Sequence, residues 1–123
     1  MFKQVHTLAI YVSDIARARD FYTRILGFKV RIDVHPGLSF LQSPNGEIDI
    51  YLEGGMKPVR PDNQSCRLSF FLEAGKSAAE TYAALKTAGV KLLQAAPEPV
   101  SDDTACFQFE DPDGNILEVS GRI

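Results

Sequence analysis

A chain of 123 residues is the size of one ordinary domain, long enough to bury its own core. Its 45% apolar and 24% charged content is globular, and a formal charge of -3 with no basic run argues against nucleic acid as a partner. The longest apolar stretches are strand length, so no membrane span is expected; Met1-Phe2-Lys3-Gln4 lacks the layout of a signal peptide, and Cys66 and Cys106 are expected to be free thiols of a cytoplasmic protein.

Residues 5–12 alternate, with Leu8, Ile10 and Val12 on one face and Thr7, Ala9 and Tyr11 on the other, which predicts a first strand. Ser13-Asp14 offers a helix N-cap. Ile15, Ala18, Phe21, Tyr22, Ile25 and Leu26 then follow at helical spacing, and Gly27 stands where a helix ends. Phe28, Val30, Ile32 and Val34 alternate with polar residues as a second strand. Residues 38–42 make a third, Pro44-Asn45-Gly46 a hairpin turn, and residues 47–52 a fourth. Residues 54–65, rich in Gly, Pro, Asp and Asn, read as a linker between a first module, 1–53, and a second, 66–123.

The order then repeats. Residues 67–72 alternate as a strand, and Ser77 with Glu80 has capping-box spacing for a second helix that stops at Gly89. Residues 90–93 are a strand, 95–103 a loop and 104–110 a strand. Asp111-Pro112-Asp113-Gly114 is a tight turn, followed by a last strand with Leu117 and Val119 on one face and Glu118 on the other. The halves overlay with Val12 on Leu72, Gly27 on Gly89 and Gly46 on Gly114, so the chain reads as a duplicated β-α-β-β-β module.

That duplication, with Val12-Ser13-Asp14, Phe21-Tyr22, Leu26-Gly27-Phe28 and Phe109-Glu110-Asp111-Pro112-Asp113-Gly114-Asn115, resembles the vicinal oxygen chelate superfamily. That group includes glyoxalase I, extradiol dioxygenases and bleomycin-resistance proteins. The resemblance covers residues 5–120 and implies an α+β fold: two tandem βαβββ modules forming a curled mixed sheet around a cavity, with the helices outside. It also implies a homodimer. Enzymatic members hold one divalent metal ion through a ligand on the first and last strand of each module, and the ion acts as a Lewis acid.

Carried onto this chain, those positions are Thr7, Asp49, Arg67 and Glu118. Alternation favours Asp49 over Ile50, because an acid facing the helix is costly to bury. A guanidinium has no lone pair for a metal. The expected cavity therefore holds no metal, and Arg67 pairs with Glu118 or Asp49. Its walls are Tyr11, Phe40, Tyr51 and Phe71, with Ser69, Gln108 and Ser120 as polar partners, suited to a small aromatic or polar molecule of the drug-sequestration type. Arg31 is read as a solvated edge charge, with reach to a carboxylate at the cavity mouth as the alternative. The alternatives are a metal-dependent lyase, isomerase or dioxygenase using His6, Asp49 and Glu118, and a metal-free enzyme with Glu118 as catalytic base.

Overall fold

The computed structural model describes residues 1–4, 7–35, 37–46, 49–55 and 71–123, with His35 and Phe71 described by backbone only. The chain divides into two compact units, Met1–Val59 and Arg60–Ile123. Each follows the expected α+β plan of a helix on a mixed sheet, and the sheets are curled rather than closed.

In the first unit, β1 (Leu8–Tyr11), β2 (Lys29–His35), β3 (Leu38–Gln42) and β4 (Asp49–Glu53) form a sheet in the order β1-β4-β3-β2. β1 runs parallel to β4; the other pairs are antiparallel. Helix α1 (Ile15–Asp20) starts where Asp14 accepts a hydrogen bond from the Arg17 N–H at 3.0 Å, which satisfies one of the open donors of the first turn. The predicted single helix changes pitch at Phe21, and residues Phe21–Ile25 are π-helical. Gly27 then takes the left-handed conformation, φ 81°. Ile10, Val12, Ala18, Phe21, Tyr22, Leu41, Ile50 and Leu52 are buried together as a core of helix on sheet.

The second unit has β5 (Phe71–Glu73), α2 (Ala78–Thr87), β6 (Lys91–Leu92), β7 (Glu98–Pro99), β8 (Thr104–Glu110) and β9 (Ile116–Arg122). The order is β5-β9-β8-β6, with β7 also on β8. The loop expected over residues 95–103 thus contains a short strand, because Glu98 and Pro99 lie opposite Cys106 and Ala105. The capping box of α2 forms: Ser77 accepts from the Glu80 N–H at 3.2 Å, and Glu80 accepts from the Ser77 N–H at 3.2 Å. Tyr82 meets Phe107 edge to face at 5.2 Å, over a core of Leu85, Phe109, Leu117 and Val119.

Two glycines set how closely helix meets sheet. A methyl on Gly54 would lie 2.9 Å from the Ile15 Cβ at the start of α1. One on Gly121 would lie 2.9 Å from the Ala78 N at the start of α2. Among the described residues, no helix is long and apolar enough to cross a membrane.

Candidate ligand-binding faces

On the first sheet, the face turned away from α1 is defined by burial. Ile50 and Leu52 are 1% and 0% exposed, so Asp49 and Tyr51 between them point the other way. Phe40 lies directly opposite Tyr51, and their rings are 5.3 Å apart at 40°. Thr7 is at the edge of this face and donates its hydroxyl to the Asp49 carbonyl at 2.9 Å. Tyr11, further along β1, is 44% exposed.

Arg31, on the edge strand β2, takes the second of the two roles that the sequence allows: it reaches a carboxylate. Val30 pairs with Leu41 and Ile32 with Phe40, so Arg31 is one residue extra: a β-bulge. The bulge breaks the alternation. It carries Ile32 to the open face and leaves Asp33 on the helix side, where it meets Arg19 at 2.9 Å. It also lets the Arg31 Nε reach the Asp49 Oδ2 at 2.9 Å, with the guanidinium carbon 5.8 Å from the Phe40 ring centre. Both side chains are partly exposed, 46% and 27%, and such a pair contributes only about 0–1 kcal/mol. Its consequence is local: it neutralises Asp49 beside an aromatic shelf.

On the second sheet, Phe107, Phe109, Leu117 and Val119 face α2. Cys106, Gln108, Glu118 and Ser120 occupy the opposite face, all half-buried. Cys106 is a free cysteine. Gln108 lies directly opposite Glu118, and Cys106 opposite Ser120; Phe71 of β5 is in register with Glu118. Among the described residues Glu118 has no ion-pair or hydrogen-bonding partner. The turn before it is tied to the Asp111 carboxylate, only 4% exposed. One oxygen accepts from the Asp113 and Asn115 N–H groups at 2.9 and 2.8 Å, and the other from the Asn115 amide at 2.8 Å.

Strand register corrects the expected overlay of the halves. Ile10 pairs with Leu52 as Leu72 pairs with Val119, and the Val12 N–H donates to Glu53 as the Ala74 N–H donates to Ser120. Val12 is therefore equivalent to Ala74, not to Leu72. By the same register Glu118 is equivalent to Tyr51, and Asp49 to Ile116. Apolar alternation repeats every two residues, so residue matching alone permits such a slip.

Among the described residues, the donors do not make up the set that the divalent ion of the resemblance needs. The Thr7 hydroxyl is bound to a main-chain carbonyl, and Asp49 faces a guanidinium. The counterpart of Glu118 is a phenol. Among the described residues, no three His, Cys, Asp or Glu side chains gather as a metal-binding group. His6, Arg67 and Ser69 lie outside the described residues, as does any pairing of Arg67 with Glu118.

The sequence reading did not single out Gln94. It accepts from the Gln108 N–H at 2.7 Å and donates to the Gln108 side chain at 3.2 Å, and its own carbonyl accepts from the Tyr82 hydroxyl at 2.7 Å. Nothing in the sequence marks it, because it lies in a stretch with no periodicity.

Comparison with known proteins agrees with this architecture. A family model described as Glyoxalase/Bleomycin resistance protein/Dioxygenase superfamily matches residues 4–119. The uncharacterized protein YetH of Bacillus subtilis (strain 168) is 33% identical, over 95% of this chain and 97% of its own length. A member of the same superfamily from Sphaerobacter thermophilus DSM 20745 superposes with a TM-score of 0.76 at 26% identity, covering 97% of each chain. A lactoylglutathione lyase from Agrobacterium tumefaciens has a TM-score of 0.70 at 17% identity, over 96% of this chain and 92% of its own; at that identity the likeness is one of fold. The duplicated module, its turn and these matches agree: the chain belongs to the Glyoxalase/Bleomycin resistance protein/Dioxygenase superfamily.

Proposed function

We propose that this protein binds a small aromatic molecule without a metal, in the manner of a drug-sequestering member of its superfamily, and does so as a homodimer. The observation that carries the reading is the neutralised shelf on the first sheet. Phe40 and Tyr51 stay half-exposed at 5.3 Å from each other, and the acid beside them is paired with Arg31 rather than open to a metal. Aromatic walls with a few placed polar groups suit a flat ligand, held by stacking and by the guanidinium edge.

Thermal-shift screening tests this. The protein should be stabilised by members of a panel of small aromatic molecules and should not respond to nickel, zinc or manganese. Phe40→Ala should weaken binding of the best aromatic hit about tenfold, as expected for loss of one ring contact of about 1.4 kcal/mol. A metal response in wild type that is lost in Glu118→Gln would instead favour the metal-dependent enzyme. Hits that ignore Phe40→Ala would move the ligand away from this shelf.

A further inference from the structure

Gln94 stands where the second sheet changes partner. β6 leaves β8 after the Leu93 N–H donates to the Gln108 carbonyl at 2.9 Å, and β7 joins β8 only from Cys106 onward. In the gap, the Gln108 main-chain N–H is met by a side chain, the Gln94 amide, at 2.7 Å. A main-chain N–H can only donate, so the atom facing it is the Gln94 Oε1. The other end of that amide is then a donor, Nε2, and it meets the Gln108 side chain at 3.2 Å. A donor needs an acceptor, so that atom is the Gln108 Oε1. The main chain thus fixes both amides in turn, and the Gln108 Nε2 is the end left over; among the described residues it has no partner.

Directly across the sheet, on the same face, is Glu118, also half-buried and also without a partner among the described residues. Side chains so opposed start about 5 Å apart. A side chain with a spare N–H donor and one with a carboxylate acceptor therefore rise from opposed positions on one face. We infer that Gln108 and Glu118 form a donor–acceptor pair that selects ligands with a primary carboxamide or lactam edge, and that Gln94 is the positioning residue that sets the pair's polarity. The carbonyl of such an edge accepts from Gln108 while its N–H donates to Glu118. A two-donor edge turns one N–H against Nε2; a carboxylate edge meets the charge of Glu118. The inference rests on the reading of these faces as ligand-binding.

Two neutral probes test it: benzamide, with an acceptor beside a donor, and 1,2-diaminobenzene, with two donors. Wild type should bind benzamide about tenfold more tightly, since a site built for one hydrogen bond penalises the analogue that leaves it unpaired. Gln94→Glu keeps an acceptor for the Gln108 N–H but removes the donor to Oε1. The Gln108 amide then turns over, two acceptors face the ligand, and the preference reverses. Added charge alone would not separate two neutral probes. Gln108→Met, which leaves the contact of Gln94 with the main chain intact, should abolish the preference and covers the case in which Gln94→Glu fails to fold.

Equal affinities in wild type, or an unchanged preference in either variant, would overturn the inference. If neither probe binds while other aromatic molecules do, the inference falls and the binding reading stands. If no aromatic molecule binds, both fall.

Discussion

The two modules share one plan and solve it with different chemistry. In the first, the open face is set by charge: a bulge delivers Arg31 to Asp49 at 2.9 Å beside the Phe40–Tyr51 pair. In the second it is set by amides, with Gln94 completing the ladder for Gln108 while Glu118 has no partner among the described residues. The turns differ in the same way. The Gly46 N–H closes its turn on the Ser43 carbonyl at 2.8 Å, with the Ser43 hydroxyl on Asn45. The second turn is organised by the buried carboxylate of Asp111. A duplicated backbone thus constrains the fold and leaves each face free to diverge.

The turns offer the largest expected contrast. Asp111→Ala removes the buried acceptor of the Asp113 N–H, the Asn115 N–H and the Asn115 amide and strands two main-chain donors, which should cost about 4 kcal/mol in urea unfolding. Ser43→Ala, at the matching turn, loses an exposed hydroxyl with its contact to Asn45 and strands no buried carboxylate partner of the Asp111 kind; it should cost about 1 kcal/mol. Similar costs would mean that the two turns are held alike.

The helix–sheet contacts give a smaller one. Gly121→Ala presses a methyl on the Ala78 main chain, which cannot rotate away, and should cost about 3 kcal/mol. Gly54→Ala meets the Ile15 Cβ at the same distance, an atom that no side-chain rotation moves, but this is one close contact against three at Gly121, so the cost should be nearer to 2 kcal/mol.

The helix starts give the smallest. Both have a capping side chain, but the full reciprocal box belongs to α2 alone among the described residues. Ser77→Ala should cost about 1 kcal/mol. Hydrogen bonds from the Ser77 N–H and hydroxyl hold the Glu80 carboxyl below its ordinary range. A lowered folded value means that the ionised form is favoured by folding. Its stabilisation is therefore complete above the unfolded carboxylate range and is lost as pH falls through the folded value. The stability gap between wild type and Glu80→Gln, followed by urea titration from pH 7 down to pH 3, should close with acid; a gap that widens would contradict the sign.

Local signals were legible in the sequence. The Ser77–Glu80 box and the turn glycines are written within four residues, and the alternation of Ile50 with Leu52 placed Asp49 on the open face. Features that depend on pairing were not. A bulge is one extra residue with no compositional mark, so alternation gave no sign that Ile32 leaves the face of Val30 or which carboxylate Arg31 reaches. The equivalence of Val12 with Ala74 follows from main-chain hydrogen bonds between parallel strands, whereas residue matching placed Val12 on Leu72. Gln94 stands in for a strand in the ladder, a part that periodicity does not encode. The π-helical turn at Phe21 was hidden because its apolar stripe matches that of an α-helix.

The central claim is that the aromatic shelf binds its ligand without a metal. The most direct measurement is calorimetric titration of the best aromatic hit into protein stripped with chelator, and into the same protein supplied with nickel. The account predicts dissociation constants equal within about twofold. Binding that appears only with the metal, or tightens by tenfold or more when it is added, would contradict it.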